Sequence, residues 1–281
     1  MKLKTIIIHG FVLVLASGCI YTGKPERVIE NAVGCTSNAC VYQSQEDRLL
    51  DDAIEANDMS AFYRLALQGS QRSVAELLKR AEQNNSEAQY FSARVFENQL
   101  AGFTDAAQGI KWYERAHQNG HPNAAYDLAK FYFSGKVMAK NFEQAFKWSQ
   151  IAAEADKKEA AYLLAQLYER GLGTTENLEA AKQWYQKAAD GGIDGAKLRL
   201  AKLFERTGET NQQDPGKSFR LYLSAAEDGN SQAQLIVAKM YYEGKGTTVN
   251  KDEALKWART AADAGELQAQ IFLAQLLSEL E

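Results

Sequence analysis

The sequence predicts an all-α fold, an α/α solenoid built from two-helix repeats of about 36 residues. An alanine recurs at spacings of 36, 36, 36, 37 and 36 residues, at Ala93, Ala129, Ala165, Ala201, Ala238 and Ala274. The 281-residue chain has only three prolines and is rich in alanine, leucine, lysine and glutamate, which favour helices. A period of this length is typical of stacked helical repeats.

Each repeat contains two segments with helical periodicity. In the first, apolar residues follow the i, i+4, i+7, i+8 spacing of one helical face, as at Ala124, Leu128, Phe131 and Tyr132. In the second, a large ring is followed four residues later by alanine, which places both on one face. The rings are all four tryptophans of the chain and one tyrosine, which Ala226 follows: Trp112, Trp148, Trp184, Tyr222 and Trp257. We expect these rings to be structural anchors between stacked repeats.

The repeated sequence is specific enough to indicate similarity to a known family. Residues 160–173 read Ala-Ala-Tyr-Leu-Leu-Ala-Gln-Leu-Tyr-Glu-Arg-Gly-Leu-Gly, and residues 180–191 read Ala-Ala-Lys-Gln-Trp-Tyr-Gln-Lys-Ala-Ala-Asp-Gly. This pattern resembles the Sel1-like repeat family, a branch of the tetratricopeptide superfamily. The resemblance implies a right-handed solenoid over residues 86–281, with five units and a C-terminal capping half-unit. Residues 49–85 are expected to form divergent N-terminal helices.

The N-terminus has the features of an export signal. Lys2 and Lys4 precede an apolar run over residues 6–16, which is too short to cross a bilayer as a stable helix. Cys19 follows Ala-Ser-Gly directly, which resembles the lipobox of bacterial lipoproteins. The resemblance implies a lipoprotein signal peptide at residues 1–18, lipid on Cys19 and, from Ile20, sorting to the outer membrane, facing the periplasm. An ordinary signal peptide cut nearby is the alternative.

Two further cysteines lie in residues 19–48, which are expected to form a tether. Export places Cys35 and Cys40 in an oxidising compartment, where a cysteine pair normally forms a disulfide. Closing so small a loop is worth on the order of 2 kcal/mol. A metal site would need more ligands, and a redox-active pair would need Cys-x-x-Cys spacing, so a structural disulfide is the preferred interpretation.

Comparing equivalent positions of the repeats distinguishes scaffold residues from binding residues. A position filled alike in every copy serves the fold, whereas a position that varies between copies is free to recognise a partner. By resemblance to tetratricopeptide relatives, two such positions of the first helix face a concave groove. Their occupants are Arg94, Glu97, Lys130, Phe133, Gln166, Glu169, Lys202, Glu205, Lys239 and Tyr242. Ordinary i, i+3 surface pairs, such as Arg94 with Glu97, are an equally supported interpretation. Phe133 and Tyr242 favour a groove, since aromatic residues are typical binding hot spots.

Several chemistries have no support in the sequence. The formal net charge of −4 disfavours nucleic-acid binding, which needs a basic surface. His117 and His121 have i, i+4 spacing, but Gly120 and Pro122 break the helix that would align them on zinc. The sequence has no Gly-x-Ser-x-Gly motif, and no free thiol is expected. We therefore predict no catalytic residues, no metal and no cofactor.

The function predicted from these features is a periplasm-facing scaffold or adaptor that binds a protein or peptide and meets the membrane only through its N-terminal lipid. A narrower alternative is an immunity lipoprotein that neutralises a phospholipase or wall hydrolase acting in the periplasm. A further alternative is a scaffold for exopolysaccharide export or envelope assembly. A β-lactamase-like enzyme is disfavoured, because the relatives described that way carry a disulfide in each repeat and this chain has no cysteine after Cys40. The oligomeric state is not predicted.

Overall fold

The computed structural model describes residues 4–8, 11–15, 45–136, 138–193, 195–207 and 215–279. Its contacts divide the chain into two compact units, residues 1–122 and residues 123–281. The predicted lipidation site at Cys19 and the predicted disulfide between Cys35 and Cys40 lie outside the described residues.

The N-terminal residues that are described form two short strands. Strand β1 covers Lys4–Ile8 and strand β2 covers Phe11–Leu15. They pair in antiparallel register, with Lys4 opposite Leu15. Both strands fall within the segment predicted to be a signal peptide. Across the described residues, every helix is too short or too polar to traverse a bilayer.

The first unit also contains five α-helices. They are α1 (Gln45–Ala56), α2 (Met59–Leu67), α3 (Gln71–Glu82), α4 (Ser86–Glu97) and α5 (Ala106–Gln118), with a short 3-10 turn at Leu100–Gly102. A polar side chain begins each of the last four by accepting a hydrogen bond from a backbone N–H of the first turn: Asp58, Ser70, Asn85 and Asp105. Consecutive helices pack against each other along the unit.

The second unit contains nine described helices. They are α6 (Ala124–Ser134), α7 (Phe142–Glu154), α8 (Lys158–Arg170), α9 (Leu178–Asp190), α10 (Ala196–Thr207), α11 (Pro215–Glu227), α12 (Ser231–Glu243), α13 (Lys251–Asp263) and α14 (Leu267–Ser278). Asn141, Asn177 and Asn250 cap α7, α9 and α13 in the same way, each accepting a bond from the third N–H of its helix. The cap therefore recurs with the repeat.

The helices pair as the sequence predicts. The first and second helices of five repeats are α4–α5, α6–α7, α8–α9, α10–α11 and α12–α13, and α14 is the first helix of a sixth. Within the second unit, each second helix also packs against the first helix that follows it. This consecutive packing of helix pairs confirms the predicted fold class, an α/α solenoid of two-helix repeats.

Small residues lie where the two helices of a repeat meet. The recurring alanine of the first helix is fully buried in all five complete repeats, at Ala93, Ala129, Ala165, Ala201 and Ala238. The fourth residue of the second helix is also buried and small, at Gly109, Ala145, Ala181, Ser218 and Ala254. A Cβ at Gly109 would lie 3.1 Å from the Cβ of Phe96 and 3.5 Å from the carbonyl oxygen of Ala93. The helices therefore approach too closely for larger side chains.

The Gly171-Leu-Gly173 turn between α8 and α9 brings backbones into similarly close contact. Gly173 has φ of +70°, and a Cβ there would lie 2.0 Å from the carbonyl oxygen of Phe142 at the start of α7. That oxygen belongs to the backbone of the preceding repeat. Glycine is therefore required by φ and by space.

We predict that Gly173→Ala destabilises the chain by at least about 2 kcal/mol more than Gly229→Ala, because backbone overlap adds to the cost of positive φ. Gly229 has φ of +91° with nothing within 4 Å of the position a Cβ would take, so it isolates the conformational cost. Urea unfolding followed by circular dichroism measures both. Equal losses in the two variants would show that the turn at Gly173 has room for a side chain.

Candidate partner-binding surface

The first helices of the second unit leave only a narrow face open. In α8, six residues are buried: Ala160, Ala161, Leu163, Leu164, Ala165 and Leu167. Among the partly exposed residues of α8, Tyr162, Gln166 and Glu169 follow the i, i+4, i+7 spacing of one helical face. We call the repeat-equivalent residues of α6, α8, α10 and α12 the first-helix face. It comprises Tyr126, Lys130, Phe133, Tyr162, Gln166, Glu169, Leu198, Lys202, Glu205, Leu235, Lys239 and Tyr242, of which Leu198 and Leu235 are buried.

Eight of the ten predicted groove residues belong to this face, and the other two, Arg94 and Glu97, occupy the equivalent positions of α4 in the first unit. The prediction that they form one partner-binding groove remains a prediction. Their contacts differ with their chemistry. The glutamates accept hydrogen bonds from tyrosines of their own repeat, the two aromatic residues pack on other rings, and the cationic members lie on aromatic rings or beside polar groups.

A hydrogen bond between tyrosine and glutamate recurs in three repeats. The hydroxyl groups of Tyr113, Tyr185 and Tyr222 donate to Glu97, Glu169 and Glu205 at 2.5, 2.6 and 2.7 Å. Each tyrosine lies on the second helix of the repeat and is at most 1% exposed. The three glutamates predicted to face a partner are thus engaged in holding the two helices of their own repeat together.

Burial and the bonded carboxylate act together on these tyrosines. Burial, and then the hydrogen bond to Glu169, raise the pKa of Tyr185 well above its ordinary value of 10.0. Because the pKa of Tyr185 is raised in the folded state, this residue stabilises the protein at pH values below the ordinary tyrosine pKa. That stabilisation is lost as the pH rises above the ordinary pKa. Partial burial would raise the pKa of Glu205, but hydrogen bonds from Lys245 and Tyr222 outweigh it, so that pKa is lowered.

The remaining two repeats replace this pair with a complementary one. Where the first helix carries Phe133, the second helix has Ser149 in the tyrosine position, and where it carries Tyr242, the second helix has Ala258. Ser149 is fully buried, and its hydroxyl has no hydrogen-bond partner among the described residues. A large ring on one helix is therefore matched by a small residue on the other. This exchange explains the two aromatic residues that made the position look like a binding hot spot.

The aromatic members of the face pack within the chain. The Phe133 ring lies 5.8 Å from that of Phe142 in an edge contact. Tyr242 makes a similar contact with Phe272 at 5.9 Å, and its hydroxyl donates to Glu279 at 2.7 Å. Both rings remain partly exposed.

The cationic members lie at the surface. Lys130 is 3.2 Å from Asp127 and 5.1 Å from the centre of the Tyr126 ring. The Lys239 ammonium lies 5.7 Å from the Phe272 ring. Lys202 donates to the side-chain oxygen of Gln232 at 3.3 Å. Gln166, the fourth member of this row, is partly exposed. In the first unit, the Arg94 guanidinium lies 4.8 Å from the Tyr63 ring.

The predicted place of Tyr222 in the repeat is wrong by one residue. Leu221, the seventh residue of α11, is equivalent to Trp184 in α9, whereas Tyr222 is equivalent to Tyr185. The partners Glu169 and Tyr185 are 16 residues apart, but Glu205 and Tyr222 are 17 apart. The spacing between Ala201 and Ala238 is 37 residues instead of 36, and the one extra residue therefore lies before α11. The alanine that follows Leu221 by four residues is Ala225, not Ala226.

The four tryptophans are packed to different degrees. Trp112 and Trp148 are 6% and 9% exposed, whereas Trp184 and Trp257 are partly buried and pack against apolar clusters of the second unit. The guanidinium of Arg115 lies 4.6 Å from the Trp112 ring, and the ammonium of Lys187 lies 5.3 Å from the Trp184 ring. The rings thus contact both apolar neighbours and cations three residues later on the same helix.

His117 and His121 do not lie on one helix, because α5 ends at Gln118. His121 follows the end of α5, and its ring stacks on Tyr90 with centroids 4.0 Å apart. Within the described parts of the chain, histidine, cysteine and acidic side chains form no group of three that could hold a metal ion.

Comparison with known proteins identifies the repeat. The Sel1 repeat family matches residues 86–121, 122–157, 158–193, 196–230 and 231–266, which is more than half of the chain. A search of curated proteins gives no significant match.

Several solved structures are similar to this chain. A protective antigen present in uropathogenic Escherichia coli strains is 26% identical, with a TM-score of 0.70 over 84% of this chain and 52% of that chain. The present chain thus spans about half the length of that protein. A Sel1 repeat protein from Oxalobacter formigenes is 28% identical, with a TM-score of 0.63 over 73% of this chain and 87% of that chain. An immunity protein from Pseudomonas aeruginosa is 18% identical over 78% of this chain and 82% of that chain, but its TM-score of 0.39 supports no functional argument.

We predict that Phe133 and Ser149 can be replaced by glutamate and tyrosine without a large loss of stability only when both are replaced together. Phe133→Glu removes a ring contact and should cost about 1–2 kcal/mol, and Ser149→Tyr should cost about 1–3 kcal/mol by overpacking. The double variant recreates the pair formed by Glu169 and Tyr185, so it should recover at least about 1 kcal/mol of the summed loss. Chemical denaturation of the four proteins measures the coupling, and strictly additive losses would contradict the exchange.

Proposed function

Because the chain belongs to the Sel1 repeat family, we propose that it is a lipid-anchored, periplasm-facing scaffold that binds a protein or peptide partner. Sel1 repeats generally mediate protein–protein interactions. The proposed binding site is the first-helix face of the second unit. The observation that carries the proposal is the division of this face into residues that hold each repeat together and residues that are displayed.

The displayed chemistry is cationic and aromatic. The carboxylates of Glu169 and Glu205 each accept a hydrogen bond from a buried tyrosine of the same repeat, and Glu205 also pairs with Lys245 at 2.8 Å. Lys130 and Lys239 are exposed, and Lys202 is partly exposed, all at one repeat-equivalent position. The neighbouring position carries Tyr126 and Tyr162, which are also partly exposed. A row of cations beside aromatic rings suits a partner segment that alternates carboxylates with apolar side chains.

Anchoring is proposed from the sequence alone. A lipid on Cys19 would attach the scaffold to the membrane, and residues 19–48 would form the tether between the two. Sorting to the outer membrane, with the repeats in the periplasm, is part of the same proposal. The narrower alternatives, a toxin-neutralising immunity protein and a scaffold for exopolysaccharide export or envelope assembly, stay predictions, as does the absence of catalytic residues.

The first-helix face can be tested by reversing its charge. The triple variant Lys130→Glu, Lys202→Glu, Lys239→Glu should lose at least tenfold in partner recovery, because the cations attract and orient the partner. The measurement is a quantitative pull-down from an envelope extract, with the wild-type chain recovering one protein in stoichiometric amount. Circular dichroism checks that the variant is folded.

A matched control carries the same change in charge on the second helices of the same unit. Lys147, Lys256 and Arg259 are all exposed there. Substituting these three by glutamate should leave partner recovery within twofold of wild type. Equal loss in both triple variants, or recovery of a glycan in place of a protein, would be evidence against the proposed site.

The anchor is tested separately in a bacterial host. We predict that the wild-type chain incorporates labelled palmitate and fractionates with membranes, whereas Cys19→Ser does neither. Cys35→Ser should retain the label, since that thiol is assigned to the tether. A labelled Cys19→Ser protein would refute acylation at this position.

A further inference from the structure

A surface cavity lies in the first unit, beside the second half of α3 and the turns that precede α2 and α4. Its volume is about 500 Å³, within the range of about 300–1,000 Å³ that is usual for small-molecule sites. Every residue that lines it is polar or charged, which favours a polar ligand over an apolar one. We call it the α3 cavity, and its lining includes Asn57, Glu76, Lys79, Arg80, Asn84 and Asn85.

Arg80 is held in a fixed position at the wall of the α3 cavity. Its guanidinium lies 4.7 Å from the centre of the Phe62 ring, which is fully buried. Nε donates to Oδ1 of Asn57 at 3.2 Å, and Nη1 donates to Glu76. Nη2 makes no hydrogen bond to the described residues. A guanidinium preorganised in this way keeps donors for a ligand.

Three asparagine side chains add further donors. Oδ1 of Asn57 accepts from Arg80, and Oδ1 of Asn84 accepts from Arg115 at 3.4 Å. Oδ1 of Asn85 accepts from a backbone N–H of α4 at 2.8 Å. Because a guanidinium and a backbone N–H can only donate, the atom that faces each of them must be the amide oxygen. The three amide nitrogens are therefore directed elsewhere, and in the described parts of the chain they have no hydrogen-bond acceptor.

The charge of the α3 cavity favours an anion. Among the described residues that line it, Lys79 and Arg80 are the cations, and both pair with the carboxylate of Glu76. The lining is therefore positive overall. A phosphate group carries up to two negative charges and has three terminal oxygens, so it can engage these donors more fully than a carboxylate, which has one charge and two oxygens. Arginine also suits the geometry of phosphate.

We propose that the α3 cavity binds a small phosphate monoester, with the phosphate group held by Lys79, Arg80 and the asparagine amides. Inorganic phosphate offers the same acceptor oxygens and would bind at the same place. This site goes beyond the proposed binding of a protein partner and uses residues of the first unit only. The triple variant of the first-helix face should therefore bind the phosphate monoester as the wild type does, and the two proposals fail separately.

An NMR titration of the ¹⁵N-labelled full chain with glycerol 3-phosphate tests the site directly. The side-chain amide signals of Asn57, Asn84 and Asn85 should shift and saturate, because their amide groups would donate to the phosphate. Inorganic phosphate should shift the same signals, whereas acetate should bind at least tenfold more weakly. The proposal is overturned if these amide signals do not respond to glycerol 3-phosphate, or if acetate binds as tightly.

Two isosteric substitutions separate ligand binding from folding. Asn57→Asp and Asn84→Asp each keep the oxygen that accepts from an arginine, and aspartate tolerates the positive φ of these positions. Each replaces an amide donor by a carboxylate oxygen, so each should weaken binding of glycerol 3-phosphate at least tenfold. Circular dichroism and thermal unfolding verify that the variants are folded.

Gln71→Glu is the matched control, since it adds the same charge at the exposed first residue of α3, at the other end of the helix from the cavity. It should leave the affinity for glycerol 3-phosphate within twofold of wild type. Equal weakening by Gln71→Glu would show a general effect of charge and would count against the site. Unchanged affinity in both aspartate variants would also refute it.

Discussion

The close contact between the two helices of each repeat constrains the rest of the structure. The recurring alanine of every complete repeat has no exposed surface, and the residue expected to face it is never larger than serine. Because the helix axes approach so closely, the neighbouring side chains must divide a fixed volume between them. A tyrosine on the second helix is accompanied by a glutamate on the first, and a ring on the first helix by serine or alanine on the second.

This division of volume determines which residues remain for recognition. The glutamates that bond to buried tyrosines belong to the scaffold even though they lie on the partly exposed face. What varies freely along that face is the row that contains Lys130, Gln166, Lys202 and Lys239. Ala274 has the equivalent position in α14 but is exposed in the described part of the chain.

The period of 36 residues was enough to predict the helices, their pairing and the fold class, since the spacing of Ala93, Ala129 and Ala165 directly reflects repeated packing. It did not predict that Glu97, Glu169 and Glu205 bond inwards, because a solvent-facing position and a position beside a buried hydroxyl have the same helical spacing. The signal that could have found these bonds is the joint change of two positions, as in Phe133 with Ser149. Tyr222 was assigned to the tryptophan position of the repeat because the extra residue of the fourth repeat lies before α11. Helical periodicity does not show where that residue is inserted.

Packing between the paired helices, not helix propensity, fixes the identity of the recurring alanine. The most direct test compares one substitution at two repeat-equivalent positions, Ala165→Leu, which is fully buried, and Ala274→Leu, which is exposed. Equilibrium unfolding in urea should show a loss of about 2 kcal/mol or more for Ala165→Leu and a change within about 0.5 kcal/mol for Ala274→Leu. Equal effects at the two positions would contradict the account.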